Sequence, residues 1–172
     1  MPREKVSYTE IDSPIGPLLV AATQVGLIRV VFDNGQWDAA LEDLGRRVGP
    51  VVEGRAPLAA VLEQLDEYFD GQRQEFTIDV DLRLANGFRR TALEHLRTIP
   101  YGETESYAEV AEAAGSPRAM RAVGSACANN PIPLVIPCHR VVRSDGTLGG
   151  YGGGLKIKST LLEMEEKAAA AK

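Results

Sequence analysis

A cysteine, a histidine and an arginine stand together at the end of a proline-rich apolar stretch. The stretch runs from 131 to 142, contains three prolines and places Cys138, His139 and Arg140 before two valines. Cysteine attacks electrophiles as its thiolate, which a nearby imidazole or cation favours. Because proline fixes φ and removes a backbone donor, we predict an extended strand between stiff turns here and no helix. Successive strand side chains point to opposite faces, so His139 needs a bend or a bridging water to reach Cys138.

A structural cysteine fits the same dipeptide. Free cysteine is often a small buried hydrophobe, and a Cys-His pair alone has many precedents without function. However, a glycine-rich stretch over 148–155, interrupted only by Tyr151 and flanked by leucines, begins ten residues after Cys138. It is typical of a mobile lid or of a backbone that approaches a ligand closely. The Gly-Lys-Ser/Thr ending of a phosphate-binding loop is missing from it.

The cysteine and histidine content indicates reduced thiols rather than a metal centre. The chain has 172 residues and 18.5 kDa, enough for one sizeable domain or two small ones. No run approaches the ~20 apolar residues of a membrane span, and the first ten residues lack the apolar core of a signal peptide. The cysteines are Cys127 and Cys138 and the histidines His95 and His139, too few for a four-cysteine site. We expect a cytoplasmic protein without metal or membrane association.

Charge is distributed unevenly along the chain. The net charge is -5, but residues 1–87 carry -7 and residues 88–172 carry +2. This asymmetry indicates that only the second half meets a polyanion, with modest intrinsic affinity. Without an accompanying motif, ordinary variation of surface charge would explain it equally well.

The first half, residues 1–84, has the pattern of a small α/β scaffold domain. Its apolar runs, turn residues and helical spacing predict strands over 6–11, 18–23, 26–32 and 75–82 and a helix over 57–69. No catalytic constellation occurs in this half, and we interpret its acidic surface as simply solvated.

The second half, residues 85–172, has the pattern of a helix-turn-helix domain. A helix over 88–98 is followed by a helix over 106–114, with Gly115 as its stop. Ser116 is predicted to cap a second helix over 117–128, which begins with proline. Such patterns also arise by chance in alanine-rich chains, so the helix pair alone does not identify a DNA-binding protein.

The second helix of this pair is predicted to have one basic face and one apolar face. At about 100° per residue, Arg118, Arg121 and Ser125 share the wet face. On the opposite side are Met120, Val123 and Cys127, and we interpret this cysteine as core. Small residues, among them Ala122 and Gly124, keep the helix slender enough to approach a nucleic-acid backbone.

Three further features lie at either side of the reactive stretch. Asn130 precedes a proline, which favours a turn in which its side chain bonds nearby backbone. A final helix is predicted over 156–167, with Ile157, Thr160, Leu161 and Met164 inward and a fraying alanine-rich tail. His95 has no partner visible in the sequence and is predicted to be exposed.

Taken together, these motifs closely resemble the O6-alkylguanine-DNA alkyltransferase family, also called methylated-DNA-protein-cysteine methyltransferases. The likeness is continuous over the second half of the chain and weaker at 11–18. Its most specific element is Pro137-Cys138-His139-Arg140. It also includes Asn130-Pro131, Gly150-Tyr151-Gly152-Gly153-Gly154-Leu155, Ile99-Pro100-Tyr101-Gly102-Glu103-Thr104, Ser106-Tyr107, Arg121-Ala122-Val123-Gly124 and Leu161-Leu162-Glu163-Met164-Glu165.

The resemblance implies an α/β fold in two parts. They are a small ribonuclease H-like domain over 1–84 and a winged-helix-like, helix-turn-helix domain over 85–172 that carries the active-site cysteine. The implied function is direct-reversal DNA repair: irreversible, single-turnover transfer of an alkyl group from O6-alkylguanine to Cys138 after nucleotide flipping, with O4-alkylthymine as an open extension. No cofactor is implied. Some members hold a structural zinc in the first part, but this chain has no cysteine before Cys127.

By the same resemblance, five residues form the catalytic set. Cys138 is the nucleophile, and His139 takes its proton through a water. Glu165 orients the histidine, and Asn130 braces the turn before the cysteine. Tyr107 donates to the departing purine, which makes the base a better leaving group.

The resemblance also implies a DNA-binding surface and a substrate pocket. Arg121 fills the gap that the flipped nucleotide leaves, although an arginine here also fits a plain phosphate contact. The remaining DNA-binding residues are Arg118, Ala122, Gly124 and Ser125. The pocket residues are Pro133, Val141, Tyr151 and Gly152. The expected partner is double-stranded DNA containing O6-alkylguanine, with no obligate protein partner and a monomeric state.

Three other functions remain open from the sequence. A non-catalytic sensor of alkylated DNA would resemble this chain, but such relatives lack the cysteine. A cysteine hydrolase would use the same side chains, although such enzymes usually recruit a histidine distant in sequence. A winged-helix regulator with an incidental cysteine would bind a specific duplex sequence.

Overall fold

The computed structural model describes residues 3–171, which divide into two compact units. The first unit ends at Leu84 and the second begins at Ala85. No helix within residues 3–171 is both long and apolar enough to cross a membrane.

The first unit is built on a four-stranded mixed sheet. Its strands are β1 (Val6–Ile11), β2 (Leu18–Ala22), β3 (Leu27–Phe32) and β4 (Val51–Glu53), in the order β3-β2-β1-β4. β1 pairs antiparallel with β2, and β2 with β3, whereas β4 joins β1 in parallel. The strands predicted over 6–11, 18–23 and 26–32 are confirmed, and the first two form a hairpin.

The sequence pattern did not predict helix α1 (Trp37–Arg47) or the short strand β4. A parallel strand pair requires a crossover, and α1 lies in the connection that leads into β4. Only Ala40 and Leu44 of this helix are buried. The helical spacing of apolar residues is therefore weak in this segment, because charged residues occupy most of its other positions. A larger apolar cluster joins Leu44 to the sheet.

The predicted helix over 57–69 is confirmed, but the predicted strand over 75–82 is wrong. The helix forms as a 3₁₀ turn (Ala56–Leu58) followed by α2 (Ala59–Phe69). The later segment makes a single bridge, between Leu27 and Val80. A Cβ at Gly26 would lie 2.3 Å from the carbonyl oxygen of Asp79, so this glycine permits the close approach. The alternating pattern correctly predicted half-buried side chains but not a ladder.

The second unit consists mainly of four helices and a two-stranded parallel ribbon. The helices are α3 (Gly87–Leu96), α4 (Tyr107–Ala113), α5 (Met120–Ala128) and α6 (Leu155–Ala170), and the ribbon pairs β5 (Glu105–Ser106) with β6 (Val141–Val142). α4 and α5 pack together as the predicted helix pair, and α3 packs against α5. Gly115 has a φ of +84° at the turn, a conformation that glycine adopts without strain.

The start of α5 differs from the prediction. The helix begins at Met120 instead of residue 117, and Ser116 does not cap it, because residues 116–119 form a turn in which Ala119 N–H donates to the Ser116 carbonyl. Arg118 therefore precedes the helix and does not share its face. Met120, which was predicted on the apolar face, is 49% exposed, and Cys127, which was predicted as core, is only partly buried.

Two predictions about the helix termini and His95 are also wrong. The alanine-rich tail continues α6 to Ala170 instead of fraying. His95 is not free on the surface: its Nε2 lies 2.7 Å from Glu105 Oε1, and both side chains are mostly buried. Glu105 is ten residues away on β5, and that pairing depends on tertiary structure.

Candidate active site

A tight turn, not a strand, presents Cys138. The predicted extended strand over 131–142 is limited to β6, and Cys138–Arg140 form a 3₁₀ turn. Cys138 N–H donates to the Ile136 carbonyl at 2.8 Å. Leu134 has a φ of +76°, a strained conformation for a branched side chain. Prolines excluded a long α-helix, but a single 3₁₀ turn needs few backbone donors and follows the last proline.

Asn130 holds the turn together with its side-chain amide. Its Nδ2 donates to the Ile136 carbonyl at 2.9 Å, and its Oδ1 accepts from Ile132 N–H at 2.9 Å. A hydrogen bond from the same side chain lowers the pKa of Cys138. One asparagine thus links the end of α5, the turn and the thiol.

The Cys138 thiol is a protonated, buried group at neutral pH. Burial raises its pKa to about 11, although the hydrogen bond from Asn130 and the charge of Lys158 act in the opposite direction. A thiol with this pKa is almost entirely protonated at pH 7. The nucleophile therefore needs a base that takes the proton when the thiol reacts.

His139 is held as that base by a buried carboxylate. Its Nε2 lies 2.7 Å from Glu165 Oε2, and the histidine and glutamate are 0% and 1% exposed. The Nδ1 atom is buried and has no hydrogen-bond partner among residues 3–171. Since a carboxylate only accepts, Nε2 must carry the proton, which leaves Nδ1 as the basic nitrogen.

Electrostatics keep this pair as a neutral imidazole and an ionised carboxylate. Burial raises the pKa of Glu165, but hydrogen bonds from His139 and Arg140 outweigh burial and hold it at about 2. Burial lowers the pKa of His139 below its usual value, against the opposing effect of Glu165. The histidine is thus neutral and able to accept a proton.

A buried lysine that sequence reasoning missed lies beside these groups. Lys158 is 0% exposed, and its Nζ donates to the carbonyls of Val141 at 2.6 Å, Gly150 at 3.2 Å and Leu148. Positions 158, 161 and 165 are the buried positions of α6. This i, i+3, i+7 spacing is typical of the buried face of a helix. It was not recognised from the sequence because the first and last of these positions are charged residues.

A cavity of about 580 Å³ lies between α4, α5 and the glycine-rich stretch, and Cys138 is not one of its lining residues. Among the sequence-predicted residues, Tyr107, Arg121, Gly124, Tyr151 and Gly152 line it. Its further lining residues are Met120, Cys127, Ala128, Arg143, Ser144, Gly149 and Gly150. Cys138 raises the pKa of both tyrosines, after the larger effect of burial, and is therefore within electrostatic reach of the cavity.

Not every predicted pocket or DNA-binding residue joins this cavity. Pro133 and Val141 are buried outside its lining, and Arg118 lies at a separate shallow surface with residues 116–119. Ala122 and Ser125 are exposed on α5. The structure thus places Arg121 at the cavity mouth and leaves Arg118 apart from it.

The cavity wall depends on a glycine that packs against a tyrosine. Gly149 has a φ of +71°, and a Cβ there would lie 2.7 Å from the Tyr107 hydroxyl. The elevated pKa of Tyr107 keeps its hydroxyl protonated and able to donate. Tyr107 occupies the first position of α4 because the Ser106–Glu109 capping box begins the helix there.

Residues 3–171 contain no group of three or more His, Cys, Asp or Glu side chains that could hold a metal ion. The site's described chemistry is that of a thiol, an imidazole, a carboxylate and hydroxyl donors. Together with the helix pair, these groups define a class of protein that presents a nucleophilic thiol beside a helix-turn-helix.

Comparisons with known proteins identify the family. Residues 6–82 match the ribonuclease-like domain of 6-O-methylguanine DNA methyltransferase, and residues 87–167 match its DNA binding domain. The chain belongs to this family, so the predicted resemblance and the two-part α/β fold class are confirmed.

Relatives match nearly the whole chain. The methylated-DNA-protein-cysteine methyltransferase of Mycolicibacterium paratuberculosis is 43% identical over 166 residues, 96% of each chain. The crystal structure of Mycobacterium tuberculosis O6-methylguanine methyltransferase is 40% identical, covers 97% of this chain and 96% of its own, and has a TM-score of 0.84. A structure of Mycobacterium tuberculosis OGT in complex with DNA is 37% identical, covers 94% of each chain and has a TM-score of 0.81.

Proposed function

We propose that this protein repairs DNA by direct reversal, transferring an alkyl group from the O6 atom of guanine to Cys138. The carrying observation is the buried Cys138 thiol beside a neutral His139 that Glu165 holds at 2.7 Å. A neutral base and a protonated thiol can exchange a proton as the reaction proceeds. The DNA-binding domain match supports nucleic acid as the partner.

The side chains present account for the proton, the bonds and the leaving group of the transfer. Nδ1 of His139 takes the thiol proton, through a water in this proposal, and the Cys138 sulfur attacks the alkyl carbon. A carbon–sulfur bond forms while the carbon–O6 bond breaks, and guanine leaves with the bond electrons. The Tyr107 hydroxyl donates to the purine and offsets its developing negative charge. The product is a thioether, which has no easy return to a thiol, so each molecule acts once.

Access to the lesion requires base flipping in this proposal. An O6-alkyl group lies within stacked bases, so the nucleotide must leave the helix, at a cost of a few kcal/mol. The cavity lined by Tyr107 and Arg121 receives the base, with Tyr151 and Gly152 as its wall. Arg121 stands at the cavity and fills the vacated stack. Ala122, Gly124 and Ser125 on α5 complete the DNA-binding surface, together with Arg118, which lies apart from the cavity. Buried Pro133 and Val141 support the pocket.

The remaining proposals follow from this chemistry. Residues 1–84 serve as the scaffold domain and residues 85–172 as the DNA-binding and alkyl-acceptor domain. No diffusible cofactor takes part, because the cysteine itself is the acceptor. A reduced thiol is required, which favours the cytoplasm. We propose that a monomer is sufficient, since every group in the mechanism comes from residues 107–165 of one chain.

The proposal is tested by intact-protein mass after incubation with a duplex containing one O6-methylguanine. We expect a gain of one methyl group per protein, and peptide mapping should locate it at Cys138. Undamaged duplex is the control. An unchanged mass from reduced, folded protein that still binds the lesion would favour a non-catalytic sensor. Multiple turnovers without a mass change would favour a hydrolase.

Arg121→Ala is expected to slow repair in duplex DNA roughly 30-fold while leaving reaction with free O6-benzylguanine nearly unchanged. Only a base in duplex DNA must be extruded before it reacts. If Arg121 stabilises the extruded state by about 2 kcal/mol, losing it slows the reaction roughly 30-fold. The measurement is the single-turnover rate on both substrates. Arg118→Ala is the matched comparison, since it removes the same charge from the proposed DNA-binding surface but outside the cavity. It should weaken DNA binding yet slow repair at saturating protein much less than Arg121→Ala. Equal rate losses on the two substrates would contradict the intercalating role.

A further inference from the structure

The side chain of Arg140 binds the Glu165 carboxylate, the same group that orients His139. We propose that Arg140 is a positioning residue: it keeps Glu165 permanently ionised, fixes the orientation of its carboxylate and restrains the basicity of His139. This inference rests on the proposed alkyl transfer, in which His139 is the base. It concerns a side chain that does not touch the reacting atoms.

The geometry of the arginine is that of a two-point clamp. Arg140 Nε donates to Glu165 Oε1 at 2.8 Å, and a terminal nitrogen donates to Oε2 at 3.0 Å. The other terminal nitrogen donates to the Ile99 carbonyl at 2.7 Å, and the guanidinium carbon lies 5.6 Å from the centre of the Tyr101 ring. Two parallel bonds fix the plane of a carboxylate in a way that a single bond cannot.

The carboxylate therefore serves two partners at once. Oε2 accepts from both Arg140 and His139, whereas Oε1 faces Arg140. Arg140 and Glu165 are 6% and 1% exposed, so water screens this arrangement little. Arginine and carboxylate together are neutral, and a neutral imidazole adds no charge to the buried group.

The same contacts determine how readily His139 becomes charged. The charged groups that act on it are Glu165 and Lys158 from α6 and Arg140 from its own turn. The tyrosines Tyr101 and Tyr151 lie within electrostatic reach of Glu165 and are neutral, because burial raises the pKa of each. Glu165 favours the imidazolium, whereas Arg140 and Lys158 disfavour it. A protonated His139 would be a second cation on a carboxylate that Arg140 already neutralises. Arg140 thereby keeps the base in its neutral, active form at lower pH.

Removing the arginine should change the pH dependence of the reaction. In Arg140→Met, Glu165 keeps its contact with His139 but loses the guanidinium that neutralises it, so the pKa of the imidazole rises. The acid limb of the rate profile should then move to higher pH by about one unit, a tenfold change in proton affinity. Arg140→Lys retains a cation but not the two-point clamp, and we expect a smaller shift. The measurement is the rate of Cys138 alkylation by free O6-benzylguanine from pH 5 to 9, which requires no DNA.

A double variant separates electrostatics from folding. Arg140→Met combined with Glu165→Gln removes both buried charges, which is better tolerated than leaving one unpaired. Its acid limb should lie below that of Arg140→Met, since no carboxylate remains to stabilise the imidazolium. Circular dichroism checks the fold of each variant. If Arg140→Met does not fold, the comparison of wild type, Arg140→Lys and the double variant decides the question.

A direct titration keeps this test independent of the proposed function. Nitrogen NMR of His139 reports its tautomer and pKa without any alkyl transfer. We expect a proton on Nε2 and a higher pKa in the Arg140 variants than in wild type. An unchanged His139 pKa, or a rate loss that is equal at every pH, would overturn the inference. Absence of alkylation in the wild type, with the expected shift by NMR, would instead reject the alkyl transfer alone.

Discussion

Cys138→Ala is expected to abolish alkyl transfer while preserving binding to lesion-containing DNA. The thiol is the acceptor in the proposed reaction, and alanine has no nucleophilic atom. Cys138 is 4% exposed, so the change removes one small buried group and none of the exposed side chains on α5 that are proposed to contact DNA. Intact mass after incubation with an O6-methylguanine duplex should show no methyl adduct, and fluorescence anisotropy should show retained binding.

Cys127→Ala is the matched control for this substitution. Cys127 also lines the cavity, but burial, followed by the nearby Cys138, raises its pKa to about 12. The Asn130 side chain lowers the pKa of the Cys138 thiol but does not act on the Cys127 thiol, and the neighbours of Cys127 in the chain are alanines instead of a histidine. The variant should therefore retain one methyl adduct per protein at a rate close to wild type. An adduct on Cys127 in Cys138→Ala, formed at an undiminished rate, would move the nucleophile to the other cysteine.

The sequence was most informative where function depends on neighbours along the chain. Cys138 and His139 are adjacent, and the proline-rich stretch marked them without any fold. The helix predicted over 106–114 is confirmed as α4, and the capping box that begins it at Tyr107 joins Ser106 and Glu109, three residues apart. Glu165 is different, because its 2.7 Å contact with His139 spans 26 residues, and only the family resemblance pointed to it.

The failures share a physical cause, which is that tertiary contacts override local pattern. Three prolines predicted a strand before Cys138, but the bonds of Asn130 to Ile132 and Ile136 close a turn instead. The alternation over 75–82 gave a half-buried segment with one bridge rather than a strand. Lys158 was overlooked because lysine is rarely buried, and three backbone carbonyls from distant segments satisfy it here.

Lys158→Met is expected to weaken both folding and transfer. Methionine matches the length of lysine but donates no hydrogen bond, so the carbonyls of Val141, Leu148 and Gly150 lose this donor. Removing the donor from one buried and two part-buried carbonyls should cost about 2–4 kcal/mol of unfolding free energy. Transfer should slow further than unfolding explains, because a cation that lowers the pKa of Cys138 is lost. Denaturant unfolding and the rate with free O6-benzylguanine measure the two effects separately.

Two companion variants locate the origin of the effect. Lys156→Met removes a lysine from the same helix, but Lys156 is exposed and should have little influence on either measurement. Lys158→Arg keeps the charge while placing a larger, planar group in a fully buried site, so it should recover part of the rate but less of the stability. Lys158→Met that transfers alkyl groups at the wild-type rate would contradict this role. In that case the lysine would hold the glycine-rich stretch to β6 for stability alone, and the thiol would depend for its activation on Asn130, His139 and Glu165.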